Sequence, residues 1–130
     1  MTERRVVKTE GAPGAIGPYS QAVVAGVFVY ASGQVGFDPA TGQFVEGGVA
    51  EQTRQVLRNL SRVLEAAGSD LSRVVKTTVF LADIGDWPAV NEVYARVMPQ
   101  PFPARSAFAV KDLPLGARIE IEAVATAGLG

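Results

Sequence analysis

Two segments carry the residues best suited to chemistry. Near the end of the chain, Ala117-Arg-Ile-Glu-Ile-Glu-Ala-Val-Ala125 alternates apolar and charged residues. On a strand this puts Ile119, Ile121, Ala123 and Ala125 on one face and Arg118, Glu120 and Glu122 on the other. A strand-borne carboxylate can hold a water molecule and exchange a proton, so the glutamates are candidates for acid–base work. A solvated charged face on a half-buried strand is the plainer reading of the same pattern. Upstream, Arg105 has Ala107 and Ala109 as its same-parity neighbours, which leaves space beside a guanidinium that can grip a carboxylate through two parallel hydrogen bonds. A salt bridge from Arg105 to one of the glutamates fits the spacing equally well. Gly17-Pro-Tyr19-Ser20 and Ser32-Gly33-Gln34 add hydroxyls and bare backbone, but Gly11-x-x-Gly14-x-x-Gly17 has neither the spacing nor the strand-to-helix setting of a phosphate or dinucleotide loop. Such glycines are foremost turn formers. Lys76 reads as a solvated or paired lysine rather than a Schiff-base former.

What is missing narrows the chemistry. The 130 residues include no histidine and no cysteine, which excludes thiolate nucleophiles, disulfides, imidazole bases and zinc sites. The acidic residues lack calcium-loop spacing, so no metal is expected. Any acid–base step falls to a carboxylate, tyrosine, lysine or water. With 12 Lys and Arg scattered against 13 Asp and Glu, the net charge is −1, which disfavours nucleic acid as a partner. No apolar run approaches the roughly 18 residues of a membrane span, and Met1-Thr-Glu-Arg-Arg-Val-Val-Lys8 lacks a signal-peptide core. The expectation is a cytoplasmic protein with no membrane partner. A hydrophobic fraction of 48% against 19% charged excludes intrinsic disorder, and the length suits one domain over residues 1–130.

The elements that must position these residues follow from periodicity. Strands are predicted over Arg4–Thr9, Gln21–Ala25, Val27–Ser32, Val74–Leu81, Arg105–Val110 and Ala117–Thr126, with turns at Gly26, Phe37–Gly42 and Leu113-Pro-Leu-Gly116. Val56, Leu57, Leu60, Val63 and Leu64 make Val49–Ala67 an amphipathic helix closed by Gly68. A second helix begins at Asp86 as N-cap, buries Trp87, Val90, Tyr94, Val97 and Met98, and stops at Pro99. The order favours an α+β fold with two helices packed on one face of a sheet. Yet Val27–Ser32 is apolar at both parities, with Val27, Val29 and Ala31 on one side and Phe28 and Tyr30 on the other. Nothing remains in the chain to cover the second face, which predicts a homo-oligomer; a loosely covered, partly exposed face is the alternative.

Taken together, Gly17-Pro-Tyr-Ser-Gln-Ala22, Ala31-Ser-Gly-Gln-Val35, Val75-Lys-Thr-Thr-Val79, Phe102-Pro-Ala-Arg-Ser106 and Ile119-Glu-Ile-Glu-Ala-Val124 resemble the RidA/YjgF family of reactive intermediate deaminases over nearly the whole chain. The resemblance implies a homotrimer of chorismate-mutase-like subunits, each a mixed β-sheet with two helices on one face, and active sites in clefts between subunits. It implies hydrolysis of 2-imino acids and their enamines, such as 2-aminoacrylate and 2-iminopropanoate or 2-iminobutanoate, to 2-oxo acids and ammonia, without a cofactor. These intermediates leak from pyridoxal-phosphate enzymes, and their removal protects other enzymes. By position, Arg105 matches the residue that binds the substrate carboxylate and Glu120 the one that activates water. Tyr19, Ser32, Gly33 and Asn91 match pocket residues. Ala107 stands where many members have cysteine, at a position that acts through its backbone. The alternative is a non-catalytic, small-carboxylate-binding or chaperone-like regulatory module that uses the same clefts. Ribonuclease activity, attached to some relatives, ranks below both because the chain has no histidine and no basic patch.

Overall fold

Strand-forming and helix-forming segments alternate along the chain so that one sheet collects every long strand. The computed structural model describes residues 3–128. In chain order these hold β1 (Arg4–Val7), β2 (Ala22–Ala25), β3 (Phe28–Gln34), the short β4 (Phe37–Asp38) and β5 (Gln43–Phe44), α1 (Val49–Ala66), β6 (Val74–Leu81), α2 (Trp87–Val97), β7 (Ala104–Ala109) and β8 (Ile119–Thr126). Six strands form a sheet in the order β1-β2-β3-β8-β6-β7, and β4 and β5 pair separately. All neighbours in the large sheet are antiparallel except β6 and β7. A parallel pair needs a long crossover, which α2 supplies. That crossover leaves β7, with Arg105, at the edge of the sheet.

The helices cover one face. Val56, Leu57, Leu60, Val63 and Leu64 of α1 are fully buried, as are Val29, Val79, Leu81, Ile119, Ile121 and Ala125 of the strands beneath. Burial of each large side chain stabilises the fold by about 1.5–3 kcal/mol. Asn59, buried on α1, donates from Nδ2 to the carbonyls of Val35 at 3.2 Å and Phe37 at 2.8 Å, so the helix fixes the chain where β3 runs into β4. On the other face Phe28, Tyr30 and Phe108 are exposed. The apolar second face expected from β3 therefore exists and is uncovered within one subunit.

Several expectations need correction. Asp86 does not cap α2 through its side chain: a 3₁₀ turn at Ile84–Asp86 precedes the helix, and Asp83 caps that turn by accepting from Gly85 N–H. The Asp86 carboxylate instead pairs with Arg118 at 2.9 Å. Val93 joins the buried stripe of α2, whereas Val97 is exposed, because the covered face is set by Val90, Val93 and Tyr94. Val27 belongs to the β2–β3 turn and points to solvent rather than standing with Val29. Strand ends shift by at most two residues, and Val74–Leu81 stands as predicted.

Candidate active site

The candidate residues separate into two half-sites, one on each face of the sheet. Across β7, β6 and β8 the register aligns Arg105 with Thr77 and Ala123, and the last two are buried under the helices. Arg105 therefore rises on the helix-covered face. Glu120 has the opposite parity to the buried Ile119 and Ile121 and pairs with Phe80, so it stands on the uncovered face. Their backbones lie three residues along and two strands across from each other, on the order of 14 Å, with side chains diverging.

At the sheet edge, α2 grips Arg105. Its guanidinium lies 4.6 Å from the Trp87 ring centroid and 4.7 Å from that of Tyr94, and NH1 donates to Asn91 Oδ1 at 3.0 Å. Residues 87, 91 and 94 fall at i, i+4 and i+7, one face of a helix. Tyr94 is itself held, its hydroxyl sharing a buried 2.7 Å hydrogen bond with Thr77 Oγ1. Among the described residues no carboxylate pairs with Arg105; the salt bridge to a glutamate is not formed. A cation held over aromatic faces keeps its charge and its remaining donors for an anion. Val110 N–H donates to Leu81 C=O, so by strand alternation the N–H groups of Arg105 and Ala107 turn toward the open edge.

On the other face, Glu120 sits against Gly33 in a cavity of about 350 Å³ whose walls include Tyr19, Ile16, Phe37, Pro114 and Leu115. The bulge of β3 between Ala31 and Gln34 brings Gly33 over the carboxylate. Burial, and secondarily the negative charge of Glu122, hold the Glu120 carboxyl above its ordinary range. The loop bearing Tyr19 is fastened from beneath by Gln21, whose buried amide accepts from Thr9 N–H at 2.7 Å and donates to the carbonyls of Thr9 at 3.0 Å and Pro13 at 2.8 Å. Ser32 donates its hydroxyl to Ser20 C=O at 2.6 Å, so it ties β3 to that loop and keeps only acceptor capacity for a ligand. Lys76 donates to Ser106 Oγ at 3.1 Å, a paired surface lysine.

Tyr19, Gly33 and Glu120 are thus brought together, and Arg105, Asn91 and Ala107 form a separate group. Sequence reasoning missed Trp87 and Tyr94 as partners of Arg105, although their helical spacing with Asn91 was visible; they were assigned to core. It also missed Gln21 and the apolar walls. No group of three or more Asp, Glu, His or Cys able to hold a metal exists among the described residues, and none of their helices is long and apolar enough to cross a membrane.

A family model described as endoribonuclease L-PSP matches residues 9–127. A human protein named 2-iminobutanoate/2-iminopropanoate deaminase is 58% identical over 125 residues, 96% of this chain and 91% of that one. The chain belongs to the RidA/YjgF family. An Arabidopsis thaliana member named Reactive Intermediate Deaminase A, chloroplastic, is 53% identical over 95% of this chain and 66% of its own. Among solved structures, E. coli TdcF with bound serine superposes with a TM-score of 0.91 at 38% identity, covering 95% and 99% of the two chains. A Thermotoga maritima protein described as a putative endoribonuclease gives 0.92 at 50%, covering 95% and 98%. The mixed sheet and paired helices are the fold of this family.

Proposed function

We propose that this RidA-family chain, as one domain over residues 1–130, is an imine deaminase. It adds water to 2-imino acids such as 2-iminobutanoate and 2-iminopropanoate, the imine tautomer of the enamine 2-aminoacrylate, and releases the 2-oxo acid and ammonia. The observation that carries the reading is the division of labour between the half-sites: an arginine held against two aromatic rings with donors to spare for a carboxylate, and a half-buried glutamate in a pocket with room for water. Both are needed within the length of one small substrate, and one subunit holds them far apart on opposite faces. A homotrimer in which the β7 edge of one subunit meets the uncovered face of the next would join them.

In such a cleft Arg105 clamps the substrate carboxylate through paired hydrogen bonds, and the Ala107 N–H adds a donor from the strand edge. Glu120 as carboxylate accepts a proton from water, which attacks the imine carbon. The same group carries that proton to nitrogen, giving a 2-amino-2-hydroxy acid; it then takes the hydroxyl proton and passes it to the amine, so that the C–N bond breaks and ammonia leaves as the carbonyl forms. Positioning plus one acid–base group contributes about 10²–10⁴-fold, enough for an imine that already hydrolyses in water. The steps use Arg105, the Ala107 N–H, Glu120 and water. The reading places the protein in the cytoplasm beside pyridoxal-phosphate enzymes that release enamines.

The test is 2-oxo acid formation in an assay coupled to a serine or threonine dehydratase. Wild type accelerates product release, and Arg105→Ala and Glu120→Ala abolish the acceleration with the assembly intact. Equal rates for wild type and Arg105→Ala overturn the reading. Arg105-dependent binding of 2-oxo acids with no acceleration would favour the carboxylate-binding module instead.

A further inference from the structure

The cavity around Glu120 is built for more than a water molecule. Its walls include Ile16, Val35, Phe37, Pro114 and Leu115. Ile16 and Leu115 are also the two most exposed large hydrophobic side chains among the described residues, at 79% and 65%. That both border the same cavity as the half-buried glutamate points to an apolar occupant there. Leu115 is moreover the one non-glycine residue among them in the left-handed region, with φ 59° and ψ 21°. The turn that holds it is closed by Ala117 N–H donating to Pro114 C=O at 3.0 Å, with Gly116 following at φ 77°. A β-carbon in that conformation is disfavoured, and strain of this kind persists where the surrounding structure fixes it, often at ligand clamps.

The chemistry of a 2-imino acid says which group fits. The imine carbon bears nitrogen, the carboxylate and a side chain. The carboxylate is drawn toward a cation, and nitrogen must reach a proton donor. With that carbon within one water of Glu120, the side chain is the one apolar substituent left for the apolar wall. A methyl group, on the order of 30 Å³, would reach little of the apolar wall in a cavity of about 350 Å³. A branched four-carbon side chain needs on the order of 120 Å³, at roughly 30 Å³ for each water-sized group.

We propose that Leu115 and Ile16 form the side-chain subsite and select 2-imino acids with branched, four-carbon aliphatic side chains over the three-carbon 2-iminopropanoate. This rests on the deaminase reading above. The experiment measures kcat/KM for imines generated in situ from leucine and from alanine by an amino-acid oxidase, with wild type, Leu115→Gly, Ile16→Ser and Glu120→Gln. Wild type prefers the leucine-derived imine, and Leu115→Gly and Ile16→Ser each lower the leucine-to-alanine ratio about tenfold, as expected for lost contacts in an apolar pocket. Glycine adopts the backbone of residue 115 without strain, so that variant retains the turn. Wild type also gives a measure that requires no variant: 4-methyl-2-oxopentanoate inhibits at a concentration about tenfold below pyruvate. Equal inhibition by the two, or ratios unchanged within twofold in both variants, overturns the subsite. Unchanged ratios together with dissociation of the assembly would mark the two residues as subunit contacts and overturn it as well. If Glu120→Gln matches wild type on both imines, the deaminase reading itself falls, and the subsite with it.

Discussion

Gly33 and the Glu120 carboxylate occupy one space: a Cβ on Gly33 would overlap Oε2 of Glu120, with the carboxyl and γ carbons also too close. The group that must give way is the far end of a flexible side chain. Gly33→Ala is therefore expected to displace the carboxylate from its pocket at little cost to the fold. Activity should fall about 10²-fold or more, the range of one acid–base group, while Tm moves by only a few degrees. A Gly33→Ala variant with full activity would show that the carboxylate need not lie where it does.

The raised carboxyl of Glu120 sets a pH dependence. Its first cause is burial and its second the charge of Glu122, both of which disfavour the ionised form. A carboxylate that must be ionised to take a proton from water gives a rate that rises with pH, with a midpoint above the ordinary value of 4.5. Glu122→Gln removes one of the two causes and should move that midpoint to lower pH. Stability runs the other way. A carboxyl whose folded pKa is raised stabilises the fold below its unfolded pKa, and that contribution is lost as pH rises through the folded value. Glu120→Gln should then raise Tm relative to wild type at pH 8 and lose that advantage at pH 4. Thermal melts at the two pH values check the sign.

The cage around Arg105 predicts a split in kinetic parameters. Trp87→Leu removes one aromatic face, worth about 0.5–1 kcal/mol at an exposed site, and should raise KM about two- to fivefold with a smaller change in kcat. Asn91→Ala frees the guanidinium to turn and should act in the same direction, with Asn91→Asp holding the arginine but competing with the substrate carboxylate for it. A fall in kcat at unchanged KM would place these residues in the chemical step instead.

The two helices, the alternation of β8 and the uncovered apolar face of β3 were legible because each rests on a local period: 3.6 residues for α1, two for the strands. The second face could be read as unsatisfied because Phe28 and Tyr30 are apolar at the parity that the helices cannot cover. Strand pairing was not legible. The parallel partnership of β6 and β7 follows from where α2 lays down its crossover, and this pairing puts Arg105 and Glu120 on opposite faces. Their separation depends on relative register across three strands, which no segment encodes alone. The capping of α2 was misjudged for a related reason: Asp86 has the right side chain, but Arg118, 32 positions away in sequence, claims it. The role of Trp87 was hidden because a large aromatic at a helical apolar position fits core and cation cage equally well.

If each active site takes Arg105 from one subunit and Glu120 from the next, two inactive proteins should restore one another. Arg105→Ala and Glu120→Ala, unfolded together in equal amounts and refolded, form mixed assemblies in which the two intact residues meet by chance. About one quarter of the inter-subunit clefts then hold both, given random assortment in a closed ring, so the mixture should recover about that fraction of wild-type activity. Each variant refolded alone should recover none. Because the sheet separates the two residues within every subunit, no rearrangement short of refolding lets one chain supply both. Failure of the mixture to recover activity, with mixed assemblies demonstrated by mass spectrometry, would mean that the two residues do not act in one cleft.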